Sequence, residues 1–228
     1  MTYLNLVNNV LKRLREDEVA SVSANKYSKL VGAFVNDAKK AVEDAWDWSA
    51  LRTTLTVETT ADVFNYAMTG AGNELKVLHA YNDTDNWELQ YQTPIWFDQK
   101  YMMSTPQTGS PRYYTFNGVN SDGDTQIDLY PKPDTSGVVL RFNVIQRGTI
   151  TDSLGATIRP KELSEDADQL IIPSQPVIHM AVALLARERG ETGGTSAPEY
   201  FAIADKYLSD AIALDAQKHP EEVIWHTP

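Results

Sequence analysis

The hydrophobic period of this chain changes twice, and that double change limits its folds more than any single motif does. From Thr2 to Arg15, Leu4, Val7, Leu11 and Leu14 recur at three- and four-residue steps, which predicts a helix with one apolar stripe. A polar link follows. From Asn25 to about Trp48, Tyr27, Leu30, Val31, Phe34, Val35, Ala38, Val42, Ala45 and Trp46 keep the helical step, while Asp37, Lys39, Lys40, Glu43, Asp44 and Asp47 take most other positions. From about Arg52 to Arg147 the segments "RTTLTVETT", "VFNYAM", "ELKVLHAY", "WELQYQ", "RYYTF", "TQIDLYP" and "GVVLRFNVIQ" are rich in strand formers, separated by Gly, Pro, Asn and Asp. "PIWFDQKYMM" fits either a short helix or a strand. Asn117-Gly118 and Asp122-Gly123 supply residues that tolerate positive φ, as a hairpin requires.

Helical spacing then returns. Val177, Met180, Ala181, Leu184 and Leu185 share one face of a segment that has Pro176 in its first turn, Arg187 and Arg189 in its last, and Gly190 as its stop. Ser196 and Glu199 form a capping box that opens a helix striped by Phe201, Ala204, Leu208, Ala211 and Ile212.

Two helices, a block of strands and two helices predict an α+β fold. Each amphipathic helix needs a partner for its stripe. The simplest solution is a four-helix bundle, formed by the N- and C-terminal pairs, into which an antiparallel β-sandwich or barrel is inserted. The expected limits are 1–51 with 165–219 for the bundle, 52–164 for the inserted β domain and 220–228 for an extended tail. Trp46 and Trp48 stand where the bundle hands the chain to the sheet, and they are expected to pack that junction, on different faces because they are two apart. In the tail, Val223, Ile224 and Trp225 are apolar residues at a chain end flanked by Pro220 and Pro228. They either fold back on their own core or dock on another protein.

Most chemistry is missing. Cysteine is absent, which removes disulfides, thiolate metal sites and thiol nucleophiles. His79, His179, His219 and His226 have no second ligand at metal-binding spacing, and no phosphate loop or nucleophile elbow occurs. Aligning Gly123 with the glycine of a calcium loop puts Gly118 at the first acidic position and Leu129 at the bidentate glutamate, so "NGVNSDGDTQID" is expected to be a turn. No catalytic, cofactor-binding or metal-binding residue is assigned, and the chain is expected not to be an enzyme. A net charge of −11 argues against tight nucleic-acid binding. With no apolar run long enough to span a bilayer and no leader pattern, a soluble protein made in the cytoplasm, without membrane contact, is expected.

The combination of "LVNNVLKRLRE", "YSKLVGAFVNDAKKAVEDAWDWSALRTTLTV", a β-rich middle containing "IDLYPKP", and the closing "PVIHMAVALLARERG" and "EYFAIADKYLSDAIALDAQK" resembles the head-to-tail adaptor, or connector, proteins of tailed bacteriophages, in particular the tail tubular protein A type of short-tailed phages. The resemblance implies a structural virion protein of the neck that forms a twelve-fold ring. It also implies that the ring joins the portal protein to the tail nozzle or tube and lines part of the DNA channel, with no cofactor. Carried over by position, Val223, Ile224 and Trp225 are candidates for portal docking. Tyr113, Tyr114, Phe116, Asp122 and Asp124 are candidates for tail-side or inter-subunit contact. The alternative is a carbohydrate- or peptide-binding β module on a helical scaffold, motivated by Tyr91, Trp96, Phe97, Tyr113 and Tyr114.

Overall fold

The computed structural model describes residues 1–103, 105–152, 154–158, 162–189 and 196–218, with the side chains of 158, 196 and 197 left aside. Five α-helices and three sheets are present among them. By internal contacts the chain divides into two compact units, Met1–Leu51 with Gly148–Pro228, and Arg52–Arg147.

In the first unit, α1 (Tyr3–Arg13) begins at Thr2, whose hydroxyl accepts from the Asn5 N–H. Its buried face is Tyr3, Leu6, Val7, Val10 and Leu11; Leu14, expected in the stripe, caps the helix and is half-buried. Helix α2 (Lys26–Ala45) starts with a reciprocal capping box in which Asn25 and Ser28 satisfy each other's backbone N–H groups. Its core face is Val31, Gly32, Val35, Ala38 and Val42, together with Lys39 and Glu43. The last two were expected at solvent-facing positions. They are buried because they pair with each other at 2.9 Å, and because the second carboxylate oxygen of Glu43 accepts from Gly148 N–H at 3.0 Å.

Strands β9 (Ile150–Thr151), β10 (Thr157–Ile158) and β11 (Gln169–Leu170) form a small antiparallel sheet beside these helices. Then α4 (Ser174–Glu188) packs against α1, α2 and the final helix, α5 (Ser196–Ala216). The burial follows from that central place: Val177, Ile178, Ala181, Val182, Ala183, Leu185 and Ala186 are all inaccessible. By contrast, among its described side chains α5 buries only Ala204 and Asp215.

The second unit holds β1 (Arg52–Glu58), β2 (Asn65–Ala67), β3 (Leu75–Asn82), β4 (Trp87–Glu88), β5 (Gln90–Tyr91), α3 (Pro94–Met102), β6 (Tyr113–Val119), β7 (Thr125–Tyr130) and β8 (Val139–Gln146). Two four-stranded sheets result, ordered β1-β8-β3-β4 and β2-β7-β6-β5. Leu55, Ala80, Leu140, Phe142 and Val144 from one sheet and Tyr114, Ile127 and Leu129 from the other belong to one buried cluster. All pairs are antiparallel except β5 with β6, which run parallel. That departure from the expected antiparallel pattern has a plain cause: parallel neighbours need a long crossover, and "PIWFDQKYMM" supplies it by folding as α3. The hairpin turn is closed by Asn120 and Asp124, whereas Gly118, at φ 77°, makes a bulge inside β6 instead of a turn.

Candidate interaction surfaces

The end of α2 shows how the helical unit releases the chain. Trp48 is fully buried and donates its indole N–H to the Val42 carbonyl at 2.7 Å. Trp46, half-buried, donates to Asp215 Oδ2 at 3.3 Å. The same carboxylate takes the Ser49 N–H at 2.9 Å and the Ser49 hydroxyl at 2.6 Å, and the Lys218 ammonium lies at 3.0 Å. Burial raises the Asp215 pKa, but the hydrogen bonds from Ser49 and the Lys218 charge outweigh it and hold the group at about 2. Trp46 and Ser49 therefore share one carboxylate clasp that joins the end of α2 to the end of α5, while Trp48 is tied back to α2 itself. Sequence periodicity does not reveal Asp215, because an acid on a helix scores as solvent-facing.

In the β unit α3 rests on an aromatic seat. Trp96 lies 5.0 Å from Tyr113 and 5.3 Å from Tyr130, while Tyr101 stacks on Phe64 at 4.6 Å and donates its hydroxyl to the Leu129 carbonyl. Burial and the nearby Asp128 carboxylate push the Tyr101 pKa upward. With Phe97 inward, the other side of the helix presents Ile95 and Met102, seven residues apart on one face, at 70% and 82% exposure. These residues were not singled out from the sequence because the segment had no decisive period.

The residues expected to contact neighbours are distributed unevenly. Tyr114 points into the shared core, 5.4 Å from Phe142, and Tyr113 is half-buried against Trp96. Phe116 is half-buried beside the exposed Tyr91. Asp122 is exposed at the hairpin tip. Asp124 accepts the N–H groups of Gly70 and Gly72 at 3.1 and 2.9 Å and so closes a loop of its own unit. Val223, Ile224 and Trp225 lie outside the described residues.

Among the described residues no group of three or more His, Asp or Glu side chains is placed to hold a metal ion. No described helix is long and apolar enough to cross a membrane. One open cleft of the helical unit, about 590 Å³, is lined by Tyr3, Ser21, Lys29, Glu165 and Asp166 among others. Asp166 is already engaged there as acceptor for the Val22 N–H at 2.9 Å.

The model of the family described as SU10 adaptor protein matches residues 1–223, which takes in both units. No curated protein gives a significant match.

Proposed function

The chain belongs to the SU10 adaptor protein family, a family of phage structural proteins, and on that premise we propose that it is the ring-forming adaptor that joins a portal to a tail and surrounds part of the DNA channel. The observation that carries the proposal is the extent of the family match, which includes the helical unit built from both ends of the chain and the β unit built from its middle. On this reading α4 and the three helices packed on it are the bundle, and the two sheets with a shared core are the sandwich. The twelve-fold symmetry and the short-tailed, tail tubular protein A-like type belong to the same proposal. The acidic balance of the chain, −11 overall, favours a channel wall that phosphates slide past without adhering.

Val223, Ile224 and Trp225 are proposed as the portal-docking residues. The test mixes the full chain with purified portal rings of its own phage and images the product. Rings seated on the portal are expected from the full chain, and none from a chain lacking residues 221–228, whose melting temperature should stay within about 2 °C of the parent. Portal binding that survives the deletion refutes the docking assignment, and absence of binding by the full chain refutes the adaptor reading.

The β-module alternative loses its motivation in the structure. Of its five aromatics, Phe97 and Tyr114 are buried, Trp96 and Tyr113 are half-buried in the seat of α3, and only Tyr91 is exposed.

A further inference from the structure

Helix α1 ends in a turn that favours glycine and holds an arginine. Past the C-cap Leu14, the Arg15 N–H bonds to the Lys12 carbonyl at 3.2 Å and the Glu16 N–H to the Leu11 carbonyl at 3.0 Å, a pairing that sets Arg15 in the left-handed region at φ 60°. Glycine is the usual residue there because a Cβ is strained in that conformation. The Arg15 side chain is exposed, and among the described residues its guanidinium makes neither a hydrogen bond nor an ion pair.

Arg13, Leu14, Arg15 and Tyr200, the last from the start of α5, line a cleft of about 180 Å³. No acid lines it. Arg13 donates to the Asn9 carbonyl at 3.0 Å and has no carboxylate partner, and the Tyr200 hydroxyl is unengaged among the described residues. The acids that follow in sequence are committed elsewhere: Glu16 pairs with Arg189 at 2.7 Å, Glu18 pairs with Lys12 at 2.8 Å, and both line a separate cleft with Asp17 and Tyr27. Two guanidiniums and a phenol thus bring N–H and O–H donors to one recess, on a chain with 31 acidic and 20 basic residues. That donor set suits an oxyanion.

We propose that this cleft receives a carboxylate from an acidic segment of a partner protein, held by Arg13, Arg15 and Tyr200. Guanidinium forks fit carboxylates and phosphates alike, so the longer-range field decides between the two. Duplex DNA brings one charge per about 1.7 Å of its axis, and a chain of net charge −11 opposes such a rod along its whole length. A side chain on a protein segment carries its charge into the cleft alone, and exposed acids more than about 10 Å away are largely screened from it. The inference rests on the adaptor reading above only for the presence of such a partner.

The test uses the full chain with a fluorescein-labelled hexaglutamate peptide, a hexaglutamine control and a duplex DNA of about 20 base pairs, at low salt. Fluorescence anisotropy should show wild type binding hexaglutamate at least tenfold more tightly than either of the others. Arg15→Gly should lose at least tenfold in peptide affinity while its melting temperature stays equal or rises, because the left-handed turn is relieved. His179 gives a second reading. Burial and the Arg13 charge hold its imidazole below the ordinary value, so an anion in the cleft should raise its pKa, followed by NMR titration with and without saturating peptide. Equal binding of hexaglutamate and hexaglutamine, unchanged affinity in Arg15→Gly, or a His179 pKa that does not move each overturn the proposal. Lost affinity accompanied by a lower melting temperature makes Arg15 a structural residue and also overturns it. Tighter binding of the duplex assigns the cleft to nucleic acid, and self-association of wild type that Arg15→Gly abolishes assigns it to a second copy; either result overturns the partner named here. No portal enters these measurements, so the adaptor reading stands or falls separately, by ring assembly on the portal.

Discussion

The clasp at Asp215 makes a quantitative prediction about acid. Its carboxylate is 4% exposed and is held at about 2, against an ordinary value of 3.8, by Ser49 and Lys218 acting against burial. A folded-state pKa below the unfolded one means that folding favours the charged form. The stabilisation is therefore complete above the unfolded value and is lost as pH falls through the interval from about 4 to about 2. The shift corresponds to about 2 kcal/mol at neutral pH and to about 1 kcal/mol at about pH 3. Asp215→Asn keeps the shape and one acceptor oxygen but has no charge to lose. Urea unfolding of parent and variant, followed by far-ultraviolet circular dichroism and extrapolated to water, should show the variant less stable by about 2 kcal/mol or more at neutral pH. That gap should narrow by about 1 kcal/mol at about pH 3. Comparing the two proteins at each pH removes the contribution of the other carboxylates. An equal gap at both values, or a gap under about 0.5 kcal/mol at neutral pH, refutes the assignment of Asp215 as an ionised clasp.

Two further substitutions probe the helical unit. A Cβ at Gly32 would stand 2.3 Å from the Tyr3 hydroxyl and 2.9 Å from Val22, so Gly32→Ala should cost about 1–3 kcal/mol by thermal or urea unfolding, and Tyr3→Phe in the same chain should recover part of that loss. Lys39→Met removes the ammonium 2.9 Å from the buried Glu43 carboxylate and should cost about 3 kcal/mol, whereas the exposed Lys29→Met should change stability by less than about 0.5 kcal/mol; equal effects on the melting curve would contradict the buried pair.

Periodicity made the α+β class and the order of elements legible, because burial against a single core leaves a regular mark on helices and strands alike. It was silent wherever a polar residue is buried with a partner. Lys39, Glu43 and Asp215 look like surface residues until Gly148, Ser49 and Trp46 are brought to them by elements far along the chain. The stripe of α2 was drawn too wide for a related reason. Tyr27, Leu30, Phe34 and Ala45 share the apolar step with Val31 and Val35 but lie toward the edge of the helix, so Leu30 and Ala45 are exposed and the other two half-covered. Sequence records that a residue is apolar without recording which molecule covers it. The same limit applied to α3, where aromatic residues on two strands, Tyr113 and Tyr130, decide a conformation that the local pattern left open.

The carboxylates of the helical unit also explain how the chain tolerates a β unit between its helical halves. Departure and return are each fixed by a side chain of that unit: Ser49, three residues before β1, is held by Asp215, and Gly148, two residues after β8, is held by Glu43. Both of these hydrogen-bonded contacts join residues of the helical unit itself. The ends of the excursion are also close together, since Arg52 and Ile145 are register partners in neighbouring strands, a separation of about 5 Å. Replacing residues 53–146 by about six Gly and Ser residues should therefore leave a helical protein that unfolds cooperatively, because a short loop adds little closure entropy. In that shortened chain Asp215→Asn should again cost about 2 kcal/mol at neutral pH. A shortened chain that unfolds without a cooperative transition would show that the helices depend on the β unit. A clasp whose contribution vanished on shortening would show that its geometry is set from outside the helical unit, and the two anchors would then be a consequence of the insertion and not its support.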